Sequence, residues 1–450
     1  MKIRLVYFFP LFFLQIYLIL TLVVFNFGPI NYKLPSPEIF WSLIISYHLA
    51  FLLGYIIAYI VRSQPQAYFG KFEIGIHFKL RLFYIVLLLA IVSSLLSFKG
   101  VGSILDLLNP FFWIESAING VLNPGEAYNE KMERVTSDVT GNKLLNIGLF
   151  FIAFSKIILV PFIIFFWSRL SLQIKSLSVF VTLLPVLSSL SHGTNKGVFD
   201  FVILYGFSLV IFFLYHKHKF GFYGVGKRKF FFIVMFLTFF GSLTFFGTAM
   251  SERGGDLRYI ETIDPLNNIK VNDDAVLKSK DDFIYYTYAW LGSYIVQGYY
   301  GFSLAVTQDF DTTFGVGNSV FLTRNVEGLL GIELRNKTFQ YKIDKWWGES
   351  SQWHSFYSFF ANDFHFVGVV FVCFLIAFLM AKVWFSFIET GNVFAGAMMA
   401  IFAVLIIFIP ANNQVFGFLD GLSAFFWTSL LWILSIKKVK FIRWLKGFYV

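Results

Sequence analysis

Apolar residues in this chain come in long runs rather than alternating with polar ones, and short clusters of charge, Gly, Pro and Asn separate the runs. A bilayer core about 30 Å thick needs roughly 20 apolar residues in a helix. Ten runs reach or approach that length: 5 to 27, 39 to 61, 82 to 98, 144 to 167, 176 to 191, 198 to 215, 230 to 250, 355 to 381, 393 to 410 and 416 to 436. The pattern predicts an all-α integral membrane protein with about ten transmembrane helices, ten to twelve at most. The fifth run is short and holds Pro185, which predicts a tilted, broken or re-entrant segment. The first run follows Lys2 and Arg4 as a signal peptide would, but it is too long and lacks a small-residue cleavage site, so it reads as a retained span.

Charge gives the runs a direction. With the N-terminus in the cytoplasm, the cytoplasmic side collects 19 of the 36 Lys and Arg and only two acidic residues, Glu73 and Glu389. That asymmetry satisfies the positive-inside rule and predicts cytoplasmic termini. The run of helices then falls into a seven-span N-terminal bundle (1–250), a large external region (251–354) and a three-span C-terminal part (355–450) with a basic tail. The external region holds ten Lys/Arg and fourteen Asp/Glu. Both of its ends lie outside, so its apolar stretch 284–307 cannot cross alone. The many Tyr and Trp there predict an interfacial or re-entrant helix. No repeat relates the two halves.

Composition agrees. At 57% hydrophobic and 14% charged, the chain is too apolar for a soluble domain. Phe occurs 62 times, so an isolated Phe carries little information. The single cysteine, Cys373, excludes an internal disulfide and a Cys-based metal site. The net charge of +10 is accounted for by topology and anionic lipid, with no need for nucleic acid.

Charged and polar groups in or beside apolar runs are the informative ones. Lys156 falls near the middle of the fourth run, where it reads either as a buried ion pair or as a ligand for an anionic lipid headgroup. At the start of the eighth run, His354, Ser358, Asn362 and His365 fall on one face of a continuous helix, with Asp363 about 100° away. Topology brings His192, Lys196, Asp200 and Asp420 to the same level, and Arg253 closes the seventh run. The expectation is an external vestibule lined by His, Asp and basic residues. Walker, dinucleotide-binding, HExxH and nucleophile-elbow sequences are absent. Asp309-Phe310-Asp311 matches a short metal-binding pattern that three residues satisfy easily by chance, so no metal and no cofactor is expected.

The late segments carry a resemblance. Gly292-Ser293-Tyr294 through Gly298-Tyr299-Tyr300-Gly301, and Trp353-His354-Ser355 followed by Asn362, Asp363 and Gly368, resemble the late loop and following helix of O-antigen, or oligosaccharide repeat-unit, polymerases. The architecture is similar along the whole chain. The resemblance implies a glycosyltransferase in a bacterial inner membrane that transfers a growing glycan from undecaprenyl pyrophosphate to a hydroxyl of a new lipid-linked repeat unit. Its expected partners are that lipid-linked oligosaccharide, membrane lipid, and the chain-length regulator and flippase of the same pathway. On this reading His354 or Asp363 activates the acceptor hydroxyl. Arg253, Arg258, Arg324 and Arg335 grip phosphate, and Trp346, Trp347 and Trp353 offer rings on which sugar stacks. Lys156, Lys196, His192, His365 and Asp420 complete the substrate-binding set. Two other readings remain: a ligase using the same donor, and a non-enzymatic lipid-oligosaccharide flippase.

Overall fold

The computed structural model describes residues 5–62, 76–97, 109–137, 143–221, 229–254, 256–276 and 282–446. Among them, α1 (Phe9–Phe27), α2 (Pro37–Ile60) and α3 (Ile76–Ser97) open the chain. Four shorter helices follow, α4 (Pro110–Leu122), α5 (Pro124–Ser137), α6 (Lys143–Phe150) and α7 (Phe154–Phe166). A hairpin of α8 (Leu172–Ser191) and α9 (Lys196–Phe220) leads to α10 (Lys229–Gly254). The next segment contains α11 (Tyr259–Thr262), α12 (Asp282–Ala305), α13 (Val320–Leu330) and α14 (Phe339–Lys342). The chain ends in α15 (Phe356–Thr390), α16 (Val393–Phe408) and α17 (Leu419–Lys446). The sheet content is a two-stranded antiparallel ribbon, β1 (Ile30–Tyr32) with β2 (Ile269–Val271), in which Tyr32 faces Ile269.

The protein is thus an all-α, membrane-embedded chain in its described residues. Seven helices are long and apolar enough to cross a membrane, and they cover seven of the ten sequence runs. The runs at 82 and 393 appear as shorter apolar helices, Leu80–Leu96 and Val393–Phe408, and the run at 230 lies in α10. Pro185 sits inside an uninterrupted α8, so the expected break there does not occur. A further apolar helix, Phe111–Leu122, lies between the third and fourth sequence runs. Pro110, Glu115 and Asn119 hide it from a hydropathy reading, but Trp113 stacks on Phe180 of α8 with centroids 6.1 Å apart and planes within 5°.

Residues 256–276 and 282–354 form a cap on one end of the bundle. Helix α12 runs across that end: Phe283 and Thr287 meet Gly247 near the close of α10, Gly292 meets Val24 and Pro29 at the close of α1, and Phe302 packs on Phe40 and Tyr47 of α2. Its second half is buried, as the apolar bundle beneath it requires. Cap and bundle share one core. Buried Ile260, Ile269, Trp290, Phe339 and Trp347 belong to the same cluster as Leu14, Tyr47 and Trp384.

A straight helix of 35 residues would run about 52 Å, well beyond a bilayer core of about 30 Å. Helix α15 resolves the mismatch with a kink at His365, whose φ of 58° and ψ of 160° break the helical path. The Tyr47 hydroxyl donates to the Phe366 carbonyl at 2.8 Å, so the break is supported from α2.

Candidate substrate site

Between the cap and the bundle lies a cavity of about 230 Å³, to which Tyr128 of α5 and Met250 of α10 also contribute. One wall is a single face of α12, where Trp290, Ser293, Tyr294 and Gln297 recur at i, i+3, i+4 and i+7. Trp347, Gln352 and Trp353 of the segment before α15 form the opposite wall, and Tyr32, Tyr259 and Ile269 contribute to the rim. The walls are tied together. The Trp353 N–H donates to Gln297 Oε1 at 3.4 Å, the Trp347 indole N–H to the Trp353 carbonyl at 3.0 Å, and the Tyr32 and Ser293 hydroxyls lie 3.2 Å apart. Tyr294 meets Trp353 edge-on at 5.1 Å. Behind Tyr32, the Tyr300 hydroxyl donates to Asp264 at 2.8 Å, and Asp264 also takes the N–H groups of Leu266 and Asn268.

This lining combines aromatic faces with hydroxyl and amide groups around a volume below the roughly 300–1,000 Å³ of drug-sized sites. It offers stacking surface and uncharged hydrogen-bonding groups, the combination a single sugar ring uses.

The sequence-predicted residues fall into three groups. Of the predicted set, Trp347 and Trp353 line the cavity, and His354 follows Trp353 but turns inward. His354 is 2% exposed, its Nε2 lies 3.4 Å from the Gly348 carbonyl, and its Nδ1 has no hydrogen-bond partner. It does not reach the cavity surface, so direct activation of a substrate hydroxyl by His354 is not what this geometry provides. Burial lowers its pKa to about 4, leaving a neutral imidazole at neutral pH. The ordinary value is about 6.5, so on acidification from there to about pH 4 the unfolded chain takes up a proton that the folded protein refuses. Stability should therefore fall through that window by an amount on the order of 3 kcal/mol. Detergent-solubilised wild type should lose melting temperature between pH 7 and 5 more steeply than His354→Gln; parallel slopes would contradict the burial of a neutral ring.

The second group surrounds the start of the eighth run. The expected polar stripe does not form, because Ser355 caps the helix after His354 and the kink turns His365 outward. Asn362 and Asp363 instead clasp the loop before α13. Asp363 accepts from the Thr313 hydroxyl at 2.5 Å, from the N–H groups of Gly315, Gly317 and Asn318 at 2.9 to 3.0 Å, and from the Asn318 side chain at 2.8 Å. Five donors saturate both oxygens. The carboxylate, expected as a candidate base, fastens this loop to α15. Asn362 adds bonds to the Gly317 carbonyl, to Gln340 and from the Phe339 N–H. His365 is exposed, with Phe310 edge-on at 5.3 Å.

The third group is ionic. Lys156 lies in the first turn of α7 because the chain turns at 151–153, so it sits near the cap end and not at the middle depth expected. Its ammonium meets Asp420, in the first turn of α17, at 2.8 Å. Lys196 pairs with Asp200 at 2.9 Å, and His192 Nδ1 lies 2.6 Å from the Ser188 carbonyl. The structure joins Lys156 with Asp420 as an ion pair, the first of the two readings the sequence allowed.

The arginines do not converge. Arg335 is committed to Glu349, with Nε 2.8 and 2.9 Å from the carboxylate oxygens and Nη2 at 2.7 Å, and Glu349 raises its pKa further. The arginine expected to grip phosphate is thus paired with Glu349. Arg335→Ala should shift stability by no more than about 1 kcal/mol, as exposed pairs do; a fall in melting temperature well beyond that would show that the pair holds more than the surface. Arg258 and Arg324 are exposed, and the Arg253 side chain lies outside the described residues. Asp311 of the Asp-x-Asp pattern is bound by Lys342 at 2.7 Å, which lowers its pKa.

Sequence reasoning missed Ser293 and Gln297 as cavity residues. The i, i+3, i+4, i+7 spacing that aligns them with Trp290 and Tyr294 was the available signal. Fold and cavity together define a polytopic helical protein with an aromatic, amide-lined chamber beneath a packed cap. Comparison with family models, curated proteins and solved structures finds no match for this chain.

Proposed function

We propose that the protein is a glycan polymerase of a bacterial inner membrane, joining oligosaccharide repeat units carried on undecaprenyl pyrophosphate. The observation that carries this reading is the cavity, where aromatic rings and uncharged polar groups meet at an end of a membrane-embedded bundle. Among the described residues, Arg62, Arg169, Lys175, Lys217 and Lys382 lie at or near the helix ends that the charge pattern assigns to the cytoplasm, which supports a cap facing away from it, where lipid-linked repeat units present their sugars. In the reaction an acceptor hydroxyl attacks the anomeric carbon of the donor and the bond to pyrophosphate breaks. Charge develops on the leaving phosphate, so cations there lower the barrier. Arg258 and Arg324, exposed on the cap, are the arginines of the described set that remain for that role. Trp353, Tyr294 and Gln297 hold a sugar ring, with His354 buried next to Trp353 and Asp363 fixing the loop before α13.

The test is the surface-glycan gel profile of a strain lacking the gene. A polymerase predicts a single repeat unit on the acceptor core. Bare core with intact polymer on the carrier would assign a ligase, and repeat units confined to the cytoplasmic face would assign a flippase.

A further inference from the structure

Helix α13 has an uncovered apolar side. At 100° per residue Leu322, Val326 and Leu329 fall within 60° of one another, with Leu330 beside them, whereas Arg324 falls on the opposite face. Leu322 and Val326 are half-buried, and Leu329 and Leu330 are 62% and 67% exposed. The helix is well anchored despite this. Ser319 caps its start, Gly331 closes it at φ 67°, and the Phe321 N–H donates to the Gly417 carbonyl at 3.1 Å. Glu327 then takes the N–H groups of Leu334 and Arg335 at 2.7 and 2.6 Å, which fixes the turn that leaves Leu329 and Leu330 outward.

Its surroundings identify what covers the apolar side. Phe321 lies parallel to Phe150, within 8° and with centroids 6.2 Å apart. Phe150 in turn contacts Phe151 and Phe426, at 6.0 and 5.8 Å. Both of those rings are exposed, Phe151 at the turn between α6 and α7 and Phe426 on α17, within the two apolar segments long enough to span, 146–169 and 419–436. Exposed rings on such segments face acyl chains, so the surface of α13 continues a lipid-covered surface at the level where the spans end.

We infer that α13 is an interfacial helix that lies on the outer edge of the bilayer at the cap end, its Leu322–Val326–Leu329 stripe and Leu330 in lipid and Arg324 on the water side. Amphipathic helices with this division bury their apolar face about 5–10 Å into the headgroup boundary. The helix thereby holds the cap at a fixed height over the bilayer. This does not depend on the polymerase reading.

The test places an environment-sensitive fluorophore on Leu329→Cys, Leu330→Cys and Arg324→Cys in a Cys373→Ser background. The protein is reconstituted in vesicles of phosphatidylcholine and phosphatidylglycerol. All three positions are exposed, so the labels should be tolerated. Blue-shifted emission at 329 and 330, quenched several-fold more by nitroxide-bearing lipid than emission at 324, is the expected result. Equal quenching of all three by aqueous iodide, with no lipid quenching at 329 or 330, would overturn the inference. So would a blue shift at 329 and 330 that persists without lipid quenching, which would mean protein covers the stripe.

Discussion

Asp363→Ala should lower the stability of the folded protein before it lowers anything else. Removing the carboxylate strips an acceptor from five donors; the Gly317 N–H is on a buried residue, and the buried Thr313 hydroxyl keeps the Asn362 carbonyl at 2.9 Å. A buried donor left without a partner costs about 1–3 kcal/mol, and with smaller losses from the part-exposed N–H groups a total of roughly 2–4 kcal/mol is expected. Against a folding free energy of about 5–15 kcal/mol, that loss should be visible as less protein in the membrane and a lower melting temperature in detergent. Asp363→Asn should recover part of this, because its carbonyl oxygen can keep the bonds from Thr313, Gly315 and Gly317 at the Oδ1 position, while its amide nitrogen would face the Asn318 N–H at the Oδ2 position. A normally melting Asp363→Ala protein that has lost chain extension would instead return Asp363 to the reaction.

A comparable effect is expected from a much smaller change at Gly298. A Cβ there would come within 2.3 Å of the Pro410 carbonyl oxygen, 2.6 Å of the Ala411 carbonyl oxygen and 2.8 Å of the Ser355 nitrogen. All three are backbone atoms in turns that begin α15 or follow α16, so none can swing aside. Overpacking costs about 1–3 kcal/mol where side chains can adjust, and Gly298→Ala belongs at or above the top of that range. Helix α12 must then move away from the start of α15, carrying Gln297 and Tyr294 away from Trp353. Stability and glycan extension should fall together. An alanine variant with wild-type melting and wild-type extension would show that α12 and the start of α15 are not held this closely.

Hydropathy made the membrane-embedded helical fold legible because a lipid-facing helix must be apolar over its full length, and in the described residues the ten runs are mostly helical, the fourth being divided between α6 and α7 by the turn at 151–153. It missed α4 because 13 residues with a Glu fall below that length, although Trp113 makes the helix useful to α8. The site was partly legible. Gly298 and Tyr300 stood out in the sequence, and the structure gives each a reason: Gly298 for close approach, Tyr300 for its bond to Asp264. The polar stripe from His354 to His365 was not legible, because a helical wheel assumes a continuous helix. The N-cap at Ser355 and the φ of 58° at His365 cut it at both ends. Nor does a sequence reveal that Glu349, fourteen residues away, occupies Arg335, or that a Gly-rich loop folds its N–H groups around Asp363.

Purified protein in vesicles, supplied only with lipid-pyrophosphate-linked repeat units, tests the central claim most directly. The wild type should produce a ladder of carrier-linked glycans, each one repeat unit longer than the last. Trp353→Ala and Gln297→Ala, where their melting temperatures match the wild type, should slow the ladder at least about tenfold, the effect of about 1.4 kcal/mol of lost contact. No ladder from the wild type, or wild-type ladders from both cavity variants, would contradict the assignment of the cavity to glycan extension.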